Sequence, residues 1–133
     1  MSLTTDAWSN PNLTSFLGVT AHYIVREAGN GHLLLNSGLL AFRHIMGSHT
    51  GENLARILSE IIHEMGIIDR VCDTHLCPQT VNISSTSKIG SITADNAANN
   101  NTMMRHLEAR FRDANVPFDH DRNRVMYLKV YLL

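Results

Sequence analysis

Residues 16–25 read Phe16-Leu17-Gly18-Val19-Thr20-Ala21-His22-Tyr23-Ile24-Val25, and residues 54–65 carry Leu54, Ile57, Leu58, Ile61, Ile62 and Met65. In the first stretch Leu17, Val19, Ala21, Tyr23 and Val25 recur every second position, the period of a strand. In the second the apolar residues recur at spacings of three and one, the period of one helix face. The period therefore switches from two to 3.6 within one chain, which predicts an α/β fold.

Working outward, residues 3–8 are short, Thr-rich and partly apolar and read as a first strand, closed by the Asn10-Pro11-Asn12 turn signal. After the second strand, Glu27-Ala28-Gly29-Asn30-Gly31 supplies Asn-Gly, a hairpin signal. Residues 32–42 read as its partner, with a bulge or bend expected at Asn36-Ser37-Gly38. Ser48 or Thr50 can cap the helix that follows, Glu52 suits its positive end, and Gly66 can end it. Residues 89–94 read as a short strand leading to Asp95. Asn96 or Asn99 can cap a second helix with Met103, Met104, Leu107 and Phe111 on its apolar face, and Pro117 stops that pattern. Residues 125–133 favour a last strand. Three antiparallel strands followed by alternating helix and strand is the element order of a ribonuclease-H-like α/β fold.

The chain has 133 residues, 44% of them hydrophobic and 17% charged, which suits one domain with a core. Eleven Lys and Arg against twelve Asp and Glu give a net charge of −1, so there is no bulk electrostatic grip on DNA or an anionic membrane. Two cysteines, Cys72 and Cys77, are too few for a secreted disulfide scaffold. The N-terminus shows no signal peptide, and no apolar run reaches the ~20 residues of a membrane span.

Asp6 lies on the first strand and Asp95 at the end of the fourth. In a ribonuclease-H-like sheet these strands are neighbours, so the two carboxylates converge and offer hard oxygen ligands suited to Mg²⁺. Two such ions can activate water and stabilise the leaving oxygen of a phosphodiester. The plainer reading is a pair of ordinary strand-end aspartates.

Four blocks bear on that choice. Thr4-Thr5-Asp6-Ala7-Trp8-Ser9 and Phe16-Leu17-Gly18-Val19-Thr20-Ala21-His22-Tyr23-Ile24 are the first two. Gly47-Ser48-His49-Thr50-Gly51-Glu52-Asn53-Leu54-Ala55 is the third, and Ile92-Thr93-Ala94-Asp95-Asn96-Ala97-Ala98-Asn99-Asn100-Asn101-Thr102-Met103-Met104 the fourth. In this order they resemble the N-terminal part of the catalytic domain of hAT-superfamily DNA transposases. The resemblance implies a ribonuclease-H-like fold with a DDE-type set of metal-binding acids, Asp6 matching the first and Asp95 the second. It also implies Mg²⁺ or Mn²⁺ as cofactor, transposon-end DNA as partner and a nuclear location, the cytoplasm being the alternative. It implies neither a membrane nor a small-molecule substrate. His49 reads as a helix-start histidine that bonds backbone, Trp8 and Phe16 as core, and Asn99 to Asn101 as a polar helix start.

The departures from the family pattern matter as much. The family's third acid, a Glu, comes after a large helical insertion, and none of Glu108, Asp113, Asp119 and Asp121 stands in its place. Tyr127 and Val130 occupy the positions of a Cys-x-x-His-type motif, so residues 119–133 read as a divergent tail. The expectation is further that no zinc finger precedes Met1 and no dimerisation region follows Leu133. The expectation is a partial domain over residues 1–133, incomplete at its C-terminus and inactive alone. The alternatives are a domesticated non-catalytic module that contacts protein or DNA, and a small standalone metal-dependent nuclease. Uncovered apolar surface predicts self-association.

Residues 71–88 break the rhythm: polar, aperiodic, and far longer than the usual connection of ~4–6 residues. In the family pattern Gly66-Ile67-Ile68-Asp69-Arg70 leads directly into Ile89-Gly90-Ser91-Ile92, which makes these eighteen residues an insertion. Val71-Cys72 is encoded by GTNTGY, which resembles a splice donor, and Lys88 can end on the AG of an acceptor. The segment thus reads as a translated intron. Its rivals are a surface loop with two free thiols and a zinc loop of Cys72, His75 and Cys77 beside Asp73, which lacks the second ligand pair such sites use. Transcripts that join Arg70 directly to Ile89 are expected; a gene without splice dinucleotides at those codons overturns the intron reading.

Overall fold

The computed structural model describes residues 1–11, 14–67 and 89–126. Residues 71–88, with the insertion, intron and zinc readings made of them, and residues 127–133 of the expected last strand lie outside the described residues. The elements are β1 (Ser2–Ser9), β2 (Ser15–Arg26), β3 (Leu33–Ile45), α1 (Gly51–Glu64), β4 (Ser91–Ala94), α2 (Ala98–Asp113) and β5 (Arg124–Met126). The strands form one five-stranded sheet in the order β3-β2-β1-β4-β5. β1, β2 and β3 are antiparallel neighbours, whereas β4 runs parallel to β1 and β5 parallel to β4. This is the mixed α/β ribonuclease-like architecture expected from the element order.

Alternation places Leu3 and Thr5 of β1, Leu17, Val19 and Ala21 of β2, and Ile92 and Ala94 of β4 on one face of the sheet, all buried. Leu54, Ile57, Leu58, Ile61 and Ile62 of α1 and Met103, Met104, Leu107 and Phe111 of α2 join them in a single core cluster. Both helices thus cover the same face, and among the described residues nothing covers the other, the open face. Burying a Leu or Ile side chain contributes about 1.5–3 kcal/mol, so this one apolar layer supplies most of the drive to fold.

Helix ends are set by local chemistry. Thr50 caps α1: its hydroxyl oxygen accepts the Asn53 backbone N–H at 3.3 Å. At the other end Gly66 takes φ +61°, its N–H bonds the His63 carbonyl at 3.0 Å, and the Ile67 N–H bonds that of Ile62 at 3.1 Å. α2 departs from expectation at its start. Neither Asn96 nor Asn99 caps it; the N-cap position is Ala97, with no side-chain bond. The carboxylate of Asp95 instead accepts the Ala97 N–H at 3.0 Å. At its end Asn115 takes φ +55° and the Val116 N–H returns to the Phe111 carbonyl at 2.8 Å, so the helix is closed before Pro117 is reached.

Two turns also differ from the simple reading. The β2–β3 connection runs between Glu27 and His32, bonded by the Glu27 N–H to the His32 carbonyl at 2.8 Å, with positive φ at Gly29 and Gly31. Asn30 serves through its side chain, which accepts the His32 N–H at 3.0 Å. The bulge in β3 falls at Leu40, because Val19 pairs with Ala41 but Thr20 pairs with Leu39. The expected bend at residues 36–38 is regular strand.

The two helices meet at their N-termini. A Cβ added to Gly51 would lie 2.5 Å from both the Asn99 carbonyl oxygen and the Met103 nitrogen, so only glycine permits this approach. The Asn99 side-chain amide donates to the His49 carbonyl at 2.6 Å across the same junction. At the far end of α1, Glu64 pairs with Arg43 of β3.

Gly51→Ala is expected to destabilise the chain by about 1–3 kcal/mol through overpacking against backbone that cannot rotate away. Chemical denaturation checks this, and an unchanged midpoint would refute the close approach. The turn before β5 carries a pH prediction. The carboxylate of Asp119 accepts the backbone N–H groups of Arg122 and Asp121, each at 2.9 Å, and these bonds hold its pKa below the usual 3.8. The ionised form is therefore favoured in the folded state. Its stabilisation is present above the unfolded pKa and is lost as pH falls through the lower, folded one. Thermal unfolding measured between about pH 5 and pH 3 should fall less steeply in Asp119→Asn than in the parent.

Candidate functional site

The parallel ladder between β1 and β4 pairs Ser2 with Ser91, Leu3 with Ile92 and Thr4 with Thr93. Asp6 follows Thr4, the last residue of β1 paired with β4, by two positions, and Asp95 comes one residue past the end of the neighbouring β4. Leu3 and Thr5 are buried under the helices, as are Ile92 and Ala94. Asp6 has the opposite parity and belongs to the open face, and Asp95 follows the carboxyl end of the neighbouring parallel strand. Both helices start at this end. In open α/β sheets ligands bind outside the carboxyl ends of the strands.

The two acids differ in freedom. Asp6 is exposed and pairs through its backbone with Gly18. Asp95 is half-buried. One of its carboxylate oxygens accepts both the Ala97 N–H at 3.0 Å and the Asn100 side-chain amide at 2.6 Å. Residues 99–101 form the polar helix start that was expected, each amide with its own task. Asn99 reaches the His49 carbonyl, Asn100 holds Asp95, and Asn101 accepts from the Arg124 guanidinium. His49 bonds differently from the expectation. Its backbone carbonyl is the bonding group, and its ring Nε2 is buried without a hydrogen-bond partner.

Trp8 and Phe16 are not core residues. They share parity with Asp6, and with Phe42 and His44 of β3 they form an aromatic cluster on the open face. The Phe16 and Phe42 rings stack with centroids 5.1 Å apart, and Trp8 lies 5.4 Å from Phe42. Trp8 is 42% exposed and Phe42 54%. The Trp8 ring lies over Gly18, where a Cβ would come within 3.3 Å of it. The signal was available: a residue two positions from an outward Asp6 must also face outward. Phe42 and His44 would have followed from the pairing of β3 with β2.

The acids of the second half lie elsewhere. Asn123 donates its side-chain amide to the Gly90 carbonyl at 2.9 Å, and its own carbonyl accepts the Ile92 N–H at 2.6 Å. The 119–123 turn therefore sits at the N-terminal end of β4. Glu108 is drawn to that end by His120, at 2.8 Å. Five residues of extended chain, about 17 Å, separate that end from Asp95. Among the described residues, the one group of three metal-ligating side chains is Asp119, His120 and Asp121 in this turn, not at Asp6 and Asp95. The donor type of the Asp6–Asp95 pair fits Mg²⁺ or Mn²⁺, as two carboxylates that leave room for water and phosphate. It fits as part of a site, because one Asp95 oxygen is already engaged by the α2 turn.

No helix among the described residues is long and apolar enough to cross a membrane. No solved structure matches the chain. A Talaromyces stipitatus protein named as a candidate transcriptional regulator, tpeD, is 27% identical over 117 residues, which cover 88% of this chain and 11% of that protein. The chain thus spans about a tenth of the length of this relative. The family model of the ZBED1 RNase-like domain matches residues 4–86, well over half of the chain and including Asp6, the aromatic cluster and all of α1. The sheet, its one-sided helical cover and this match agree, and the chain belongs to the ZBED1 RNase-like domain family.

Proposed function

We propose that these residues form a ribonuclease-H-like module of hAT-transposase descent that meets DNA at its open face and does not cleave it unaided. The placement of the acids carries this reading. Asp6 lies on β1 and Asp95 directly after its parallel neighbour β4, which supports the reading drawn from the transposase resemblance. Among the described residues, Glu108, Asp119 and Asp121 sit at the opposite end of β4 and cannot complete the set. A bound Mg²⁺ or Mn²⁺ would supply phosphate polarisation and an activated water. Asp6 and Asp95 would each offer it an oxygen, and Asn100 would keep the Asp95 carboxylate in place.

The second reading is a domesticated module that regulates transcription through DNA or protein contact. The described role of the Talaromyces stipitatus relative favours it. Both readings put the protein in the nucleus. Exposed aromatic side chains on a sheet suit base stacking, which is worth roughly 1–3 kcal/mol per base. The net charge of −1 gives this polypeptide no bulk electrostatic grip on DNA.

Incubation with transposon-end DNA and Mg²⁺ or Mn²⁺ should give no strand cleavage. NMR shifts at Asp6 and Asp95 should require Mg²⁺ on the order of millimolar or higher. Cleavage that disappears in Asp95→Asn would overturn the non-catalytic reading. Trp8 is the single tryptophan, so its fluorescence reports the open face directly. Quenching by a single-stranded oligonucleotide, weakened several-fold in Phe42→Ala, is expected. A complete lack of quenching would leave the protein-contact reading.

A further inference from the structure

The outer edge of β3 has no strand beyond it among the described residues. Natural sheets blunt such edges with charge, proline, bulges or short length. β3 is thirteen residues long, and from Leu33 to Phe42 it reads Leu-Leu-Leu-Asn-Ser-Gly-Leu-Leu-Ala-Phe, with no charge and no proline. The bulge at Leu40 leaves a regular, flat piece of seven residues between the hairpin turn and the bulge, residues 33–39. Leu33 is 62% exposed, Leu35 75% and Leu39 67%, with Ile24 of β2 exposed beside them. Ile24 pairs with Leu35 and Thr20 with Leu39, so Leu33, Leu35 and Leu39 line the open face as one stripe.

We infer that this edge pairs with the same edge of a second copy of the chain, antiparallel, about a two-fold axis at Asn36. That register makes the segment complementary to itself. Leu33 stands opposite Leu39 of the second copy, Leu35 opposite its Ser37, and the two Asn36 side chains face one another. Directly opposed apolar side chains are the unit of stabilisation between strands. A two-fold contact of this kind closes on itself and stops at a dimer. The result is a ten-stranded sheet with both open faces on the same side. No charge has to be desolvated. Leu33, Leu34, Leu35, Leu39 and Ile24 together expose on the order of 600 Å², somewhat below the ~800 Å² that each partner gives to a standard interface. The dimer is therefore expected to form at micromolar concentration, and it is independent of whether the open face binds DNA.

Sedimentation velocity of the 133-residue chain across the micromolar range should show a monomer–dimer equilibrium. Leu35→Lys places a charge in the pairing edge at a solvent-exposed site. It should weaken the dimer at least tenfold and leave the circular dichroism spectrum unchanged. If that variant loses its fold, a second measurement decides. Asn36→Cys in a Cys72→Ser, Cys77→Ser background should cross-link to itself under mild oxidation, since opposed residues have Cβ atoms ~4.5–5.5 Å apart. Arg122→Cys in the same background should not. A chain that stays monomeric and does not cross-link overturns the inference. So does association that survives Leu35→Lys and disappears in Phe42→Ser, which would place the contact on the open face.

Discussion

The parallel pairing of β1 with β4 is the contact on which the rest of the molecule depends. It joins Leu3 to Ile92 across most of the chain. It closes two structural halves, the β1–β3 meander with α1 and the β4–α2–β5 unit, into one sheet. A parallel neighbour requires a crossover, and the crossover here carries α1 over the same face that α2 later covers. With both helices on one side, a single apolar layer serves the whole sheet. The same pairing direction puts the C-terminal ends of β1 and β4 together, along with the starts of both helices.

Much of this architecture was legible because it rests on periodicity. The twofold alternation at Leu17, Val19 and Ala21 and the helical spacing from Leu54 to Ile62 are burial patterns, and burial is what the sheet and α1 impose. The adjacency of β1, which carries Asp6, and β4, which leads to Asp95, was legible in the element order. What escaped was set by tertiary geometry. Trp8 and Phe16 are large and apolar, and composition sends such residues to the core; parity with Asp6 sends them outward, and parity governs in a strand. Ala97 at the N-cap of α2 runs against propensity, and it stands because Asp95 and Asn100 close the turn from outside the cap position. The distance of Glu108 and Asp119 from the acidic pair depends on chain direction, which residue spacing does not encode.

Asp95 shows how closely fold and site are joined here. Its carboxylate substitutes for a missing helix cap and stands where the transposase resemblance would place a metal ligand. Because the Ala97 N–H and the Asn100 amide share one oxygen, the orientation of the carboxylate is set by the first turn of α2. Asn99, one residue away, locks that turn to the loop before α1. The helix junction at Gly51 therefore bears on the acid through the first turn of α2.

The division of the sheet into two ends has a consequence for how such a module can change over generations. β4 begins at the end remote from Asp6, where Ser91 pairs with Ser2. Whatever precedes Ile89 thus enters the sheet where neither carboxylate, neither helix start nor the aromatic cluster is found. Both attachment points are themselves buried, Ile67 at 4% exposure and Ile89 at 3%, so the join is clamped at each side by the core. Sequence can be gained or lost between those clamps without re-registering the β1–β4 ladder, and the acid-bearing end would inherit none of the disturbance.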